Sequence, residues 1–464
     1  MQIKKVDVAI VGTGTAGMGA YRTATALTNS VVLIEGSHYG TTCARVGCMP
    51  SKLLIAAAQA AHSASHTAPF GVHLEGKIRI NGVEVMDRVR KERDRFVGFV
   101  LESVEGFKPE HKMKGFARFE DPHTLIVDDH TKIEANAIVL AVGSTPDIPS
   151  IFSDMGDRVI VNDDVFYWQD LPKSVGVFGP GVIGLEIGQA LHRLQVRTTI
   201  FGRGGRVGPI TDPEIKEYSK KILSQELDLQ YAAKLQSMQR TENGVDVAFL
   251  DNEGNLRQEH YEYLLVTTGR RPNFEKLQIN NSGLALDERG VPVFNSSTMQ
   301  CGESHIFIAG DANNQLPLLH EASDEGRIAG ANAARFPEIQ EGHRRSPLNV
   351  VFCDPQMAIA GWSHAEIIER DFEYVTGKVS FENQGRSRVM LVNKGAMHIY
   401  AERKTGLFLG AEIFGPRAEN LGHLLSWSHQ QKLTIAEMLD MAFYHPVIEE
   451  GLRTALRDAN SQLD

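Results

Sequence analysis

Apolar residues in this chain cluster into short, nearly continuous runs that stop at a glycine or an acid. The run "VDVAIVG" ends at Gly12, and "SVGVFG" ends at Gly179. "AIVLAVG" (137 to 143) and "YLLVTTG" (263 to 269) have the same form. Runs of this kind, without polar alternation, predict strands buried on both faces, as in parallel sheets covered by helices. From about residue 343 the pattern changes. "AMHIYAE" and "LFLGAEIFG" bring strands with an alternating character, and helical segments follow them. That predicts a separate α+β region.

The glycines after the first run are regularly spaced. Gly12, Gly14 and Gly17 fit G-x-G-x-x-G and open a small-residue helix, and Glu35 closes the following strand. Each part has a physical job in holding a dinucleotide. The glycines allow a tight turn and close approach of a pyrophosphate, the helix N-terminus favours its charge, and the acid accepts ribose hydroxyls. The unit recurs as "SVGVFGPGVIGLEIGQALHRLQVRTTIFG", with Gly179, Gly181 and Gly184. Here Gly202 stands where the acid should be. Two such units predict two dinucleotides in two domains. The segments at 137 to 149 and 263 to 273 flank the second unit and read as the chain leaving and re-entering the first domain. Asp311 ends a further apolar strand, "HIFIAG", and is placed to bind ligand hydroxyls.

At 464 residues the chain exceeds a single core, so several domains are expected. A hydrophobic fraction of 42% with 23% charged residues is that of an ordinary globular protein. Mean hydropathy is −0.21, and no apolar run approaches the roughly 18 to 20 residues of a membrane span. A net charge of −10 without a basic block argues against nucleic acid or an anionic membrane as partner. With a strand already beginning at Val6, no leader is read and the cytoplasm is the expected location.

There are four cysteines, and Cys43 and Cys48 lie close together in "TTCARVGCMPSK". Spacing alone leaves them a staple, half a metal site or a redox pair, and reduced inert thiols are the commonest case. No second ligand pair at zinc spacing accompanies them, so no metal is expected.

Taken together, these motifs resemble the class I pyridine nucleotide–disulfide oxidoreductases, and within them dihydrolipoamide dehydrogenase. "VGCMPSK", "GPGVIGLE", "GRRPN", "GDA", "FCDPQMAIAG" and "YHPVIEE" carry the resemblance from about residue 5 to the C-terminus. It implies an α/β chain with two Rossmann-like domains and a C-terminal α+β dimerisation domain. The boundaries expected are 1–150 with 272–342 for FAD, 151–271 for NAD(P), and 343–464 for the interface. It implies a homodimeric FAD enzyme in which Cys43 and Cys48 form a redox-active disulfide. Cys48 would lie next to the flavin, and Cys43 would exchange with a small dithiol or disulfide substrate. Residues five apart on a regular helix have Cα atoms about 8.6 Å apart, while a disulfide wants roughly 4.4 to 6.8 Å. The turn must therefore be distorted, with Gly47 providing the freedom.

By the same resemblance, Lys52 pairs with Glu186 near the flavin. Glu35, Thr42, Ala117, Gly143, Asp311 and Leu319 contact FAD, and Gly269 contacts the nicotinamide nucleotide. His445 would be the acid–base group, donated by the other subunit and oriented by Glu450, with Pro446 at a helix start. Three features depart from the family pattern. Gly40-Thr41-Thr42 and Arg45 surround the first cysteine, Val447 follows His-Pro, and Gly202 is followed by Arg203 and Arg206 with Arg197 before it. Loss of the acid and gain of guanidinium groups favours NADP(H) over NAD(H). The rival readings are an NADPH-dependent reductase of another disulfide, a quinone or a metal ion, and a FAD-binding subunit without turnover. Association with a 2-oxo acid dehydrogenase complex would be non-covalent.

Overall fold

The computed structural model describes residues 1–464, which divide into two compact units. The first comprises Met1–Pro50, Arg88–Asp147 and Gly269–Arg344; the second comprises Ser51–Asp87, Ile148–Thr268 and Arg345–Asp464.

The first unit is built on a seven-stranded sheet. Strand Gln2–Val11 lies at its centre, parallel to Val31–Glu35 on one side and Thr131–Leu140 on the other. Strand Ile306–Ile308 adds in parallel to Thr131–Leu140. Alternate residues face opposite sides, so both faces must be apolar. Val8, Ile10, Leu33 and Val139 bury against Ala16, Ala20 and Ala329, while Ala9, Val11, Ile34 and Leu140 pack with Ile306 and Ile308. This double coverage is why the runs read as unbroken. Helices Thr15–Thr25 and Leu319–Arg335 approach closely because Gly326 and Gly330 face the Ala16 and Ala20 carbonyls, where a Cβ would overlap. Strands Ser144–Pro146 and Arg270–Pro272 pair antiparallel, so the chain leaves and re-enters this unit as a two-stranded ribbon.

The second unit holds a five-stranded parallel sheet ordered Asp228–Gln230, Arg197–Phe201, Ser174–Phe178, Tyr263–Val266, Val159–Ile160. An antiparallel meander, Lys234–Arg240, Val245–Leu250 and Leu256–Tyr261, packs Phe249 and Tyr261 with Phe178 and Phe201. The same unit contains a five-stranded antiparallel sheet spanning Leu348–Gly415, backed by helices Ala418–Gln430 and Glu450–Asn460.

Asp212 stitches the second unit together. One oxygen caps helix Pro213–Leu223 by accepting from the Glu214 and Ile215 amides. The other accepts from Tyr400 OH at 2.9 Å and lies 2.8 Å from His398 Nδ1, both on strand Ala396–Glu402. Glu412, also fully buried, accepts from the Thr211 and Asp212 amides.

Candidate active site

Both glycine turns close as strand–turn–helix units. Gly12 and Gly179 have φ of +104° and +113°, a region that L side chains avoid. A Cβ on Gly17 would overlap the Gly12 carbonyl, and one on Gly184 would overlap that of Gly179. Gly14 and Gly181, by contrast, have nothing within 4 Å of a Cβ, which is the open side a phosphate needs. Glu35 lies at its strand end, with Oε2 accepting from Thr13 N (3.0 Å) and Thr13 Oγ1 (2.7 Å). Thr13, the residue between two motif glycines, thus orients the Glu35 carboxylate.

Asp311 follows Gly310 (φ +71°) on a short 3₁₀ turn. Arg270 Nε donates to Ser144 Oγ (2.8 Å), whose hydroxyl donates to Asp311 (2.7 Å). Glu325 fastens the turn from below by accepting from Gly310 N and Asn313 Nδ2, each at 2.8 Å. Burial pushes the Glu325 carboxyl above its usual range, and Arg344, 3.1 Å away, opposes that shift. Ser144, Arg270 and Glu325 carry no local signal, because their roles arise from chain segments far apart in sequence. Gly143 (φ +68°) and Gly269 have no neighbour within 4 Å of a Cβ. Ala117 starts a strand and is buried, whereas Leu319 opens its helix as an exposed residue.

The cysteine turn is broken as its geometry requires. Helix Thr42–Val46 stops at Gly47 (φ −128°, ψ −118°), and a new helix begins at Cys48. A Cβ on Gly47 would stand 3.0 Å from Cys43 Cα and 3.2 Å from the Thr42 carbonyl. Cys43 is half-buried and Cys48 exposed. Thr41 has a clear job: its hydroxyl accepts from Ala44 N at 3.1 Å and caps the first helix. Thr42 is the first residue of that helix. Arg45 Nη2 donates to the Tyr39 carbonyl.

Lys52 Nζ lies 2.7 Å from Glu186 Oε2, with the carboxylate 5% exposed and the ammonium side chain 34%. Phe352 grips both partners. Its ring centroid is 4.5 Å from Lys52 Nζ, and its amide donates to Glu186 Oε1 at 3.0 Å. Phe352 is absent from the expected set because a lone aromatic in "FCDP" gives no sign of such a contact.

His445 is 80% exposed, and its Nδ1 lies 3.0 Å from Glu450 Oε2. The hydrogen bond with His445, the Val447 amide and the Arg453 guanidinium (2.9 Å) hold the Glu450 carboxyl below its ordinary range. Arg453, one helical turn on from Glu450, is a third member of this cluster. Pro446 does not start a helix, contrary to expectation. The helix begins at Glu450, and the intervening residues form turns that let the carboxylate reach back to His445.

A cavity of about 680 Å³ opens beside the second glycine turn, lined by Gly179, Gly181, Arg203, Arg206, Lys234 and Thr268, among others. Arg203 and Arg206 are exposed at it. Arg197 does not join them. It sits at the opposite end of its strand, paired with Glu259 at 2.7 Å and stacked on Tyr261, so it is a structural residue.

Residues 6–326 match the family model of pyridine nucleotide-disulphide oxidoreductases, and 348–456 match that family's dimerisation domain. The chain belongs to this family. The dihydrolipoyl dehydrogenase of Thermus scotoductus is 28% identical across 99% of this chain and 98% of that protein. A mercuric reductase of Shewanella putrefaciens is 27% identical across 98% of this chain and 81% of the relative. Among solved structures, the HOCl-induced flavoprotein disulfide reductase RclA of Escherichia coli superimposes with a TM-score of 0.80 at 23% identity, over 99% of this chain and all of that one. The protein is a FAD-dependent disulfide oxidoreductase of the lipoamide dehydrogenase type, working with a nicotinamide coenzyme. The residues present fit both nucleotides: each turn leaves its middle glycine open, and Glu35 and Asp311 are held at strand ends. No helix is long and apolar enough to cross a membrane.

Proposed function

We propose that this protein moves electron pairs between NADP(H), FAD, the Cys43–Cys48 pair and a small dithiol or disulfide of the lipoamide kind. The observation that supports this reading is the helix break at Gly47 between Cys43 and Cys48, where a Cβ would stand 3.0 Å from Cys43 Cα. In the oxidising direction, a substrate thiolate attacks Cys43 Sγ, the Cys43–Cys48 bond breaks, and Cys48 leaves as a thiolate. The second substrate thiol then attacks the mixed disulfide, releasing Cys43 and the oxidised substrate. His445, with Glu450 behind it, takes the proton from the first attacking thiol, passes it to the departing Cys43 sulfur in the second step, and then takes the second thiol's proton. FAD, which Gly12, Gly14, Gly17, Glu35 and Asp311 would hold, would supply the two-electron chemistry that links the dithiol to the nicotinamide coenzyme. Lys52, held by Glu186 and Phe352, fixes a positive charge for the flavin ring. FAD is assigned to residues 1–150 with 272–342, the nicotinamide nucleotide to 151–271, and the subunit interface to 343–464.

The coenzyme preference rests on Arg203 and Arg206 at the cavity and on the missing acid at position 202. Each charge-assisted contact to a 2′-phosphate is worth roughly 1.5 to 3 kcal/mol, or about one to two decades in affinity. The test compares dihydrolipoamide with NAD⁺ and NADP⁺, and NADPH with lipoamide, other disulfides, quinones and metal ions. We expect turnover of the lipoamide couple, faster with NADP(H), and loss of the preference when both arginines become alanine. Equal kcat/KM for the two coenzymes would contradict the coenzyme reading. Turnover confined to quinones or metal ions would contradict the substrate reading.

A further inference from the structure

Position 202 lacks more than an acid. A Cβ there would stand 2.7 Å from Pro180 Cγ, 3.1 Å from Pro180 Cδ and 3.0 Å from the Tyr231 carbonyl oxygen. Pro180 is the middle residue of the second glycine turn, between Gly179 and Gly181. Its ring fixes φ and cannot rotate away as a flexible side chain would. Gly202 lies outside the left-handed region, so space rather than backbone conformation bars a side chain from it.

Pro180 also anchors the loop that follows. Gly208 N donates to the Pro180 carbonyl at 2.8 Å, Gly205 N to the Tyr231 carbonyl at 3.0 Å, and Gly202 N to Gln230 O at 2.9 Å. Gly204, Gly205 and Gly208 have φ of +76°, +73° and +64°. The loop is thus tied at three points and built from residues that alone adopt these angles readily. It presents Arg203 and Arg206 at the cavity.

We propose that Pro180 is a specificity-determining residue. Its ring occupies the space a side chain at 202 would need, so no carboxylate can receive an adenosine 2′-hydroxyl there. Its carbonyl meanwhile helps hold the arginine loop in the form that suits a nucleotide with an additional phosphate. This rests on the NADP(H) reading and adds a consequence: the two positions are coupled, and an acid at 202 cannot act while the proline remains.

The experiment uses four holoenzymes: wild type, Gly202→Glu, Pro180→Ala and the double variant. Each is measured for Tm and for kcat/KM with NADPH and NADH. We expect Gly202→Glu alone to lower Tm by at least about 4 °C, as overpacking does in domains of this kind, without improving kcat/KM for NADH. In the double variant Tm should return close to that of Pro180→Ala, and the NADH-to-NADPH ratio should rise at least about tenfold over wild type, a non-additivity typical of residues in contact. A Gly202→Glu enzyme with wild-type Tm, or one that gains NADH preference without the proline change, overturns the role of Pro180 and leaves the NADP(H) reading standing. A wild type that prefers NADH overturns both.

Discussion

Single residues here are placed by partners distant in the chain, and Asp212 shows the consequence most clearly. Burial would raise its pKa, but the hydrogen bonds with His398, Tyr400 and the Ile215 amide outweigh burial and hold the carboxyl far below the ordinary range. A carboxyl depressed on folding contributes stability that is present above its unfolded value, about 3.9. That stability is lost as pH falls toward the folded value. Thermal melts should show wild-type Tm dropping steeply from about pH 5 to pH 2, whereas Asp212→Asn starts lower at neutral pH and declines less over that window. Parallel curves would refute this account. Spacing alone left Cys43 and Cys48 open, and their roles, like that of Lys52, came from the resemblance carried by "VGCMPSK". Phe352 and Asp212 were not legible, since their partners lie far away in the chain and neither residue type announces such a contact.

At the scale of elements, the two glycine units were the most legible feature of the chain. Backbone constraints there depend on residue type and spacing alone, so Gly12 and Gly179 could be read without knowledge of the fold. The meander Lys234–Tyr261 was missed because Lys234–Arg240 and Leu256–Tyr261 are mostly polar and none of its three strands carries a motif. The helix start placed at Pro446 failed because the turn there serves the His445–Glu450 contact. On the proposal that each turn serves one nucleotide, their defects should separate. Gly12→Ala puts a side chain at φ +104° and into the Ala141 carbonyl, so the purified protein should lose most of its flavin. Gly179→Ala, at φ +113° with a Cβ 2.6 Å from the Thr267 carbonyl, should retain flavin while KM for the nicotinamide coenzyme rises at least about tenfold. Flavin-to-protein absorbance ratios and steady-state kinetics check this, and loss of flavin from both variants would contradict the separation.

For the whole molecule, the dimerisation domain implies a pair of chains, and the exposure of His445 suits a residue offered to a neighbour. Mixing inactive Cys43→Ser chains with inactive His445→Gln chains after reversible dissociation should therefore restore activity. Random pairing makes about half the dimers hybrid, each with one intact site, so roughly a quarter of wild-type activity should return. No recovery despite proven exchange would mean that His445 serves its own chain or is not the base. The central claim, that Cys43 and Cys48 form an electron store beside the flavin, is tested most directly by anaerobic reductive titration of the holoenzyme followed by absorbance. The account expects wild type to take up two electron pairs per chain, the first producing a long-wavelength band from a Cys48 thiolate against oxidised flavin. Cys43→Ser should show that band before any reductant is added, and Cys48→Ser should lack it and take up only the flavin's pair. Uptake of a single pair by wild type, or a band that survives Cys48→Ser, would contradict the account.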